Sequence, residues 1–555
     1  MSSGGAPWKP WSRRAFWSET KGNTIVQNPV IQDPAIFVEK ITGQVRPLEK
    51  AFCLAEWEAA VTGREEAIDQ VREAQATYLR FWSDPELFQA AKGLYEGEQT
   101  ADPLLNRQLK LVYLAAARNQ QDEATIERLT ELESRVRQRF YNYRALVDGK
   151  SLSDNQIDEI LKASQDSTRV QQVWEASKQV GQQVAEEVRE MARLRNAAAR
   201  SRGFRDHFHR ALLLDEIDEQ ELLVLFDDLE AQSREPFIRL KARIDKTVSS
   251  RFGVAEKELG PWHYGDRFFQ DGPQLEEVDL DSLVADRDIK ELAAETYAGL
   301  GMDVGSILSR SDLYPRPGKN QHAFCIHLDR EGDIRTLNNL QPTHRWAETL
   351  LHELGHGVYD QYVDASLPWL LRSPAHAFTT EAVATLMGSL TFDPEWYAGV
   401  LGIPEARARS IAASAFREYR DKKLIFTRWC LTMTHFERLF YGDPEADLDK
   451  IWWDCVERYQ LLRRPEGRRA PDWAAKIHVA LVPVYYHNYE LGHLMVAQLR
   501  RRLEEQAGGI VGRPAAGRWL IDRVFSPGAS LDWRALIEKA TGEPLDPRYF
   551  VESLA

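Results

Sequence analysis

The stretch TRVQQVWEASKQVGQQVAEEVREMARLRN, residues 168–196, decides the fold class. Its apolar side chains recur at steps of three, four and seven residues, from Val170 through Val180 and Val188 to Leu194. This spacing places them on one face of a long α-helix, with glutamate and arginine on the other face. Residues 64–82 and 105–146 follow the same pattern. We therefore predict a mostly α-helical protein whose tryptophan and tyrosine stripes pack in the core.

Strand signals are few in this chain. The clearest is HAFCIHLD, residues 322–329, which follows the turn-rich segment YPRPGKN at 314–320. Aromatic and β-branched residues after such a turn predict a short edge strand. We expect residues 1–35 to form an extended arm, and residues 36–555 to form one helical domain of two lobes around a deep cleft. The sequence indicates no sharp boundary between the lobes.

Bulk composition limits the partners that we expect. The 555 residues carry a net charge of −14, and such an acidic chain repels the phosphate backbones of nucleic acids. No run of 18 apolar residues indicates a membrane span, and the first 25 residues lack the apolar core of a secretory signal. The four cysteines are scattered, without C-x-x-C spacing, which argues against a disulfide framework and favours the cytoplasm. They are Cys53, Cys325, Cys430 and Cys455.

The segment LLHELGHGVYD, residues 350–360, carries the main chemical signal. His352 and His356 are four residues apart, so on a helix both imidazoles lie on one face and can reach the same zinc ion. Glu353 follows the first histidine directly and can act on a bound water instead of binding the metal. H-E-x-x-H on a helix is a known metallopeptidase signature. We therefore predict one catalytic zinc ion per chain.

A catalytic zinc site needs a third protein ligand from another segment. Glu381, within FTTEAVATLMG at 378–388, follows His356 by 25 residues, which leaves room for a loop and a second helix. We predict that Thr379 or Thr380 caps this second helix and that Glu381 in its first turn is the third ligand. The alternative is an ordinary solvated acid.

Peptide hydrolysis also needs donors that stabilise an oxyanion. The segment KIHVALVPVYYHNYELGH, residues 476–493, offers Lys476, His478, Tyr485, Tyr486 and Tyr489. Tyr486 and Tyr489 are three residues apart and share a helix face. A buried helix with satisfied tyrosine hydroxyls is the alternative interpretation. We interpret YELGH at 489–493, which echoes the zinc motif with tyrosine in the first ligand place, as a coincidence.

These motifs resemble the helical gluzincin peptidases, specifically the angiotensin-converting-enzyme-like peptidyl dipeptidases. The thimet-oligopeptidase and oligoendopeptidase group is a near relative, and both groups share the H-E-x-G-H form and a glutamate about 25 residues on. WEASKQVGQQVAEEVREMARLRNAAARSRGFRDHF, residues 174–208, is similar to the converting-enzyme pattern Trp-Glu, Leu-x-Asn-x-Ala-Ala-Arg and Gly-Phe-x-Asp. The resemblance covers about residues 50–500.

The resemblance implies a role for each matching residue. Zinc is held by His352, His356 and Glu381, and Glu353 activates the water and later protonates the leaving amine. His478 and Tyr489 stabilise the transition state. Substrate backbone pairs with the edge strand at His322 and Ala323, and the substrate's C-terminal carboxylate is gripped by Lys476 and Tyr486. Tyr485 is a rival to Tyr486, because the spacing from His478 differs by one residue from the family pattern.

The chain departs from the converting-enzyme pattern at three places. Tyr486-His487-Asn488-Tyr489 lacks the family's chloride-binding arginine, which argues against chloride activation. Thr385 stands where the family has an aspartate four residues after the zinc glutamate, and YPRPGKNQHAFC is closer to the oligopeptidases. We expect a zinc peptidase that releases C-terminal dipeptides from short peptides. An oligoendopeptidase of the thimet or oligopeptidase F type is the alternative, and an inactive peptide-binding scaffold is a minor one.

Overall fold

A computed structural model describes residues 33–273, 275 and 278–554. Most of these residues are helical, which confirms the predicted fold class. The predicted arm at residues 1–35 lies outside the described residues as far as residue 32. Its last two residues already belong to the first helix, which begins at Pro34. None of the helices in the described part of the chain is both long and apolar enough to cross a membrane.

Nine helices are described before residue 255, and twelve are described after residue 285. The first nine are α1 (Pro34–Thr62), α2 (Glu65–Trp82), α3 (Pro85–Glu96), α4 (Pro103–Arg118), α5 (Glu123–Asn142), α6 (Asp154–Ala163), α7 (Ser167–Arg200), α8 (His207–Leu214) and α9 (Glu219–Phe252). The others are α10 (Ile289–Gly299), α11 (Gly305–Arg310), α12 (His344–Tyr362), α13 (Ala377–Ser389), α14 (Pro394–Gly399), α15 (Glu405–Gly442), α16 (Leu448–Cys455), α17 (Ile477–Leu481), α18 (Tyr486–Ala507), α19 (Pro514–Leu520), α20 (Trp533–Thr541) and α21 (Arg548–Ser553).

Helix α7 contains the whole stretch that predicted it, and most of its apolar face is buried. The prediction of one helix over residues 105–146 is wrong, because the chain breaks between α4 and α5. Asn119 ends α4, and the Asp122 side chain accepts a hydrogen bond from the backbone of Thr125 at the start of α5. This cap satisfies a backbone N–H at the new helix start, so an interruption is stable there.

Two short antiparallel hairpins are the sheets of the described chain. Strand β1 (Ala145–Val147) pairs with β2 (Lys150–Leu152), and β3 (Phe324–His327) pairs with β4 (Ile334–Leu337). The predicted strand at 322–329 is therefore real but shorter at both ends. Among the described residues β3 pairs with β4 alone, so its other edge has no strand partner there.

The hydrophobic core is one large cluster that extends from α5 to α20, with a smaller cluster among α1, α2, α3 and α4. Within the large cluster α12 and α13 cross at very short range. A Cβ atom added at Gly355 on α12 would lie 2.7 Å from Cα of Ala384, and one at Gly388 would lie 3.2 Å from the backbone oxygen of Glu348. Glycine at both positions therefore allows the contact that brings the two motif helices together. The division into two lobes around a cleft stays a prediction.

Candidate metal centre and substrate pocket

Three of the predicted ligands meet at the crossing of α12 and α13. His352 Nε2 lies 3.6 Å from Glu381 Oε1, and His356 Nε2 lies 3.7 Å from Glu381 Oε2. The two imidazole rings are 5.0 Å apart between centroids, and one ligand atom from each residue lies within 4.8 Å of the others. Two imidazole nitrogens and one carboxylate oxygen at such distances can hold one metal ion.

Helix α13 begins earlier than predicted. His376 caps it, with its side chain accepting a hydrogen bond from the backbone of Phe378, so neither Thr379 nor Thr380 is the cap. Glu381 is therefore the fifth residue of α13 and lies in its second turn. Its carboxylate still reaches both imidazoles, because the close crossing with α12 places that turn beside the histidine pair.

Thr380 holds one of the two imidazoles in place. Its Oγ1 lies 2.8 Å from His356 Nδ1, on the opposite side of the ring from the nitrogen that faces Glu381. If the hydroxyl oxygen accepts this bond, the proton sits on Nδ1 and the lone pair of Nε2 points toward the other ligands. The sequence alone predicted for Thr380 only a role as a helix cap.

Both histidines are poised as neutral imidazoles. Burial lowers the pKa of His352 to about 4, with the charge of Lys423 acting in the same direction. Burial also lowers the pKa of His356 to about 4, aided by His352 and opposed by Glu381. Neutral imidazole is the form that binds metals, so the pair is ready for coordination near neutral pH.

Glu353 lies on α12 between the two histidines and is buried. Burial raises the pKa of its carboxyl group to about 8, and the neighbouring Glu381 carboxylate adds to this rise. A backbone hydrogen bond from Cys325 on β3 acts in the opposite direction. The hairpin therefore contacts the site directly, which confirms the short sheet predicted near the metal.

The second group of predicted residues packs around the buried side chain of Lys476. Its Nζ donates a hydrogen bond to Gln270 Oε1 at 2.8 Å and lies over the rings of Trp429 and Tyr486 at 5.3 and 5.7 Å. Burial lowers the pKa of Lys476 to about 7, and the charge of Arg267 contributes. Gln270 was missed by the sequence analysis, because it lies in a stretch without regular structure.

His478 and Tyr486 extend this cluster of side chains. Their rings are 5.0 Å apart, and burial lowers the pKa of His478 to about 3, with Lys476 adding to the effect. His478 Nδ1 is buried, and no hydrogen-bond partner for it lies in the described part of the protein. A buried nitrogen without a partner is costly unless a ligand satisfies it.

The two candidate tyrosines face different neighbours. Tyr486 packs beside Lys476 and His478. Tyr485 instead lies in the field of Glu381 and Asp215, because burial and these two charges raise its pKa. Tyr489 lies between them, with ring centroids 5.2 Å from Tyr485 and 5.5 Å from Tyr486. Burial raises the pKa of Tyr489, and Glu381 is among the charges that contribute.

His322 and Ala323 lie just before β3 in the chain. His322 is exposed, and its backbone N–H donates to Asn320 Oδ1 at 3.0 Å. The pair therefore stands at the start of the strand that contacts Glu353 through Cys325, rather than within the strand as predicted.

A mostly helical protein with H-E-x-x-H on one helix and a glutamate from the crossing helix has the architecture of a gluzincin metallopeptidase. Two comparisons with protein families agree with this class. The model for the family described as angiotensin-converting enzyme matches residues 31–253, and the model for peptidase family M3 matches residues 305–555. No curated protein matches the chain significantly. Each model matches less than half of the chain, and the two matches together confirm the resemblance inferred from the sequence.

Proposed function

We propose that this protein is a zinc peptidase that releases dipeptides from the C-terminus of short peptides. The observation that carries the proposal is the convergence of His352, His356 and Glu381, with Glu353 between the two histidines. Two neutral imidazoles and one carboxylate match the His₂Glu donor set of catalytic zinc, which leaves a fourth position open. One ion per chain is expected, and the missing arginine near Tyr486 argues against a chloride requirement.

Bound zinc supplies Lewis acidity, which polarises a carbonyl group and makes water a nucleophile near neutral pH. With the ion held by His352, His356 and Glu381, the charge of Glu381 would be balanced, and the pKa of Glu353 would fall toward that of a useful base. Glu353 then takes a proton from the attacking water at a carboxylate oxygen and delivers it to the leaving amine nitrogen. His478 and Tyr489 would donate hydrogen bonds to the developing oxyanion.

The side chains around Lys476 support the release of C-terminal dipeptides. The Lys476 ammonium group and the amide of Gln270 are two adjacent donors that can share a terminal carboxylate, and the Tyr486 hydroxyl is a third candidate. Substrate backbone would add as a strand to the open edge of β3, where His322 and Ala323 lie. These contacts together would fix the peptide's end and the scissile bond.

An oligoendopeptidase is the second candidate, and the M3 match over residues 305–555 favours it. The two functions differ in whether the substrate's C-terminal charge is recognised. An N-acetylated pentapeptide with a free C-terminal acid and the same peptide as an amide separate them. A peptidyl dipeptidase should cleave the amide at least about 10-fold more slowly, since a charged hydrogen bond contributes about 1.5–3 kcal/mol. Equal rates, or products other than a C-terminal dipeptide, would favour the oligoendopeptidase.

Substitution of Glu353 by glutamine tests the peptidase itself. We expect Glu353→Gln to keep its zinc, because Glu353 is not a ligand, and to lose about 10²–10⁴-fold in kcat, as befits a general base. Glu405→Gln, at an exposed position on α15, is the control and should match the parent. Metal analysis gives the zinc content, and mass spectrometry of the products gives the rate. A parent without zinc, or a Glu353→Gln variant with parental rates, would leave the inactive scaffold as the better explanation.

We also propose that residues 36–555 act as one helical unit in the cytoplasm, with short peptides as partners and without nucleic acid. The continuous core cluster from α5 to α20 supports a single unit. All four cysteines are buried free thiols, which fits a reducing compartment.

A further inference from the structure

A four-residue connector, residues 482–485, joins the two helices that carry the candidate substrate contacts. It follows α17, which carries His478, and the Val482 N–H donates to the backbone oxygen of His478 at 2.9 Å. It precedes α18, which begins at Tyr486 and carries Tyr489. The backbone angles of this connector therefore set how the tyrosines of one helix face the histidine of the other.

Val484 in this connector has a left-handed backbone, with φ at 55°. In that region the Cβ atom crowds the following carbonyl oxygen, and a side chain branched at Cβ makes the crowding worse. Five other non-glycine residues of the described chain have a positive φ, and none of them is β-branched. Such a conformation persists only where the surrounding structure holds it, and it is typical of functional sites.

A buried carboxyl group on α15 holds this strained peptide. Glu437 is 1% exposed, and its Oε1 accepts the Val484 N–H at 2.9 Å. Burial raises the pKa of Glu437 to about 8, against the opposing effects of this hydrogen bond and of the charge of Arg195. A carboxyl group so far from water needs donors from the protein, and Val484 supplies one.

The end of α17 is held separately, from α7. Arg195 on that helix donates to the backbone oxygen of Ala480 at 3.0 Å and pairs with Glu133 at 3.0 Å. Because Arg195 fixes α17, a relaxed backbone at Val484 would displace the first turn of α18 rather than α17.

The first turn of α18 carries the rings that would move. The Tyr486 ring centroid lies 5.0 Å from that of His478 and 5.5 Å from that of Tyr489. Burial raises the pKa of Tyr486, and the charge of Glu437 adds to this rise, so the carboxyl group acts on this tyrosine. A change of φ at Val484 rotates the chain that follows it, so these ring contacts depend on the left-handed peptide.

We propose that Glu437 is a positioning residue, which holds Val484 in its left-handed conformation and thereby places Tyr486 and Tyr489 beside His478. Glu437 acts through the backbone of Val484 and not on the substrate itself. This inference rests on the proposed peptidase function, because it assigns a role in the same reaction.

Removal of the carboxyl group is the first test. Glu437→Met has a similar volume but no strong acceptor, so Val484 can relax and displace the tyrosines. We expect kcat/KM for an N-acetylated pentapeptide with a free C-terminal acid to fall by about 10–100-fold, since a displacement of about 1 Å can cost as much. Zinc content should stay parental, because the predicted ligands lie on α12 and α13. Parental kinetics in Glu437→Met would overturn the proposal.

Glu437→Gln is the conservative variant. Its side-chain amide keeps an oxygen that can accept the Val484 N–H, although this bond lacks the help of a negative charge. We expect kcat/KM to stay within about threefold of the parent, since charge-assisted hydrogen bonds are only about twice as strong as neutral ones. A glutamine variant as slow as Glu437→Met would show that the acceptor at this position is not what matters.

A glycine in the connector separates positioning from a general loss of packing. Glycine adopts positive φ without a Cβ clash, so Val484→Gly added to Glu437→Met should recover about threefold or more of the lost kcat/KM. Val482→Gly is the matched control, because it removes the same side chain two residues earlier, where φ is −138°. It should recover nothing. Equal recovery by both glycines, or by neither, would contradict the role of the left-handed peptide. If Glu437→Met does not fold, recovery of zinc-loaded, active protein is compared in the same way.

Peptide binding separates this inference from the proposed function. The same free-acid peptide is titrated by calorimetry into zinc-loaded Glu353→Gln, with and without Glu437→Met. Binding weakened about 10-fold by Glu437→Met and restored by Val484→Gly, without any hydrolysis by the parent, would support the positioning role and overturn the peptidase. Hydrolysis at equal rates by the parent and Glu437→Met would do the reverse. Neither hydrolysis nor binding would overturn both.

Discussion

The two halves of the chain resemble different peptidase families and contribute different things to the candidate site. Residues 305–555, which match peptidase family M3, contain every predicted ligand, catalytic residue and substrate contact, from His322 to Tyr489. Residues 31–253, which match the angiotensin-converting-enzyme family, contain none of them. They contain α7 instead, which packs against the segment that leads to Lys476 and His478.

The contact between α7 and this segment is tight. A Cβ atom at Gly181 on α7 would lie 2.4 Å from the backbone oxygen of Pro471, and Arg195 on the same helix donates to the backbone oxygen of Ala480 at 3.0 Å. Lys476 and His478 lie between these two contact points along the chain. The candidate metal centre therefore lies within one half, whereas α7 of the other half packs against the segment that carries Lys476 and His478.

Loss of a metal ligand should have the largest effect on zinc binding and hydrolysis. The change should be confined to the metal centre in residues 305–555. We expect Glu381→Gln to lower zinc affinity by more than the 10–100-fold that is typical for outer-shell partners, and to abolish hydrolysis at limiting zinc. Competition with a chelator measures the affinity. Glu348→Gln, one turn before His352 on α12, is the control and should keep its zinc. Full zinc occupancy in Glu381→Gln at the same chelator concentration would contradict the ligand assignment.

Loss of Lys476 should have the next largest effect, and it should depend on the substrate's terminus. Lys476→Met should lower kcat/KM by about 10–100-fold for free-acid peptides and leave the amides unchanged, because only the acid uses the ammonium group. Lys476→Arg keeps the charge and should recover part of the loss. An equal fall for acid and amide peptides would show that Lys476 serves the fold rather than the carboxylate.

The pH dependence sharpens the same test. Burial, with help from Arg267 and against the opposing charge of Asp266, lowers the pKa of Lys476 to about 7. The ammonium form is therefore present below pH 7 and is lost as the pH rises through that value. We expect the ratio of kcat/KM for acid and amide peptides to fall above pH 7 by about 10-fold per pH unit. Lys476→Met should show a ratio that does not change with pH.

The sequence predicted what depends on local spacing. The apolar spacing of residues 168–196 predicted the buried face of α7. The four-residue spacing of His352 and His356 predicted that their imidazoles lie on one helix face. Both predictions follow from helix geometry. Glu381 was found from its distance along the chain, although His376 rather than a threonine caps its helix. A histidine cap accepts through a ring nitrogen, which is a weaker sequence signal than the hydroxyl oxygen of threonine.

Contacts made by tertiary packing could not be predicted from spacing. Gln270 lies in an irregular stretch, and only the fold brings it to Lys476, 206 residues later in the chain. The break between α4 and α5 was missed for a different reason. The apolar steps continue across Asn119 and Asp122, so the cap residues were outweighed by the periodicity.

Removal of the Thr380 hydroxyl should have a moderate effect within the second half. Thr380→Val keeps the shape but loses the partner of His356 Nδ1, so the imidazole can rotate and change tautomer. We expect zinc affinity to fall by about 10-fold, at the low end for such partners. Thr380→Ser retains the hydroxyl and should stay close to the parent. A Thr380→Val variant with parental zinc affinity and parental pH profile would mean that packing alone holds the ring.

A larger side chain at the contact between the two halves should have the smallest effect on activity. It is also the most direct test of whether residues 31–253 support the segment that carries Lys476. Gly181→Ala places a Cβ atom too close to Pro471 and 3.0 Å from the Ala475 backbone nitrogen, so the segment before Lys476 must move. We expect the preference for free-acid over amide peptides to fall by about three- to fivefold, because small displacements of a binding group weaken its contacts, while zinc content stays parental. Gly43→Ala on α1 is the matched control, because no atom lies within 4 Å of its added Cβ, and it should gain about 0.5–1 kcal/mol of helix stability without changing the preference. If Gly181→Ala lowers zinc content as well, the metal centre also depends on α7, and the two halves do not divide the work as the family matches indicate.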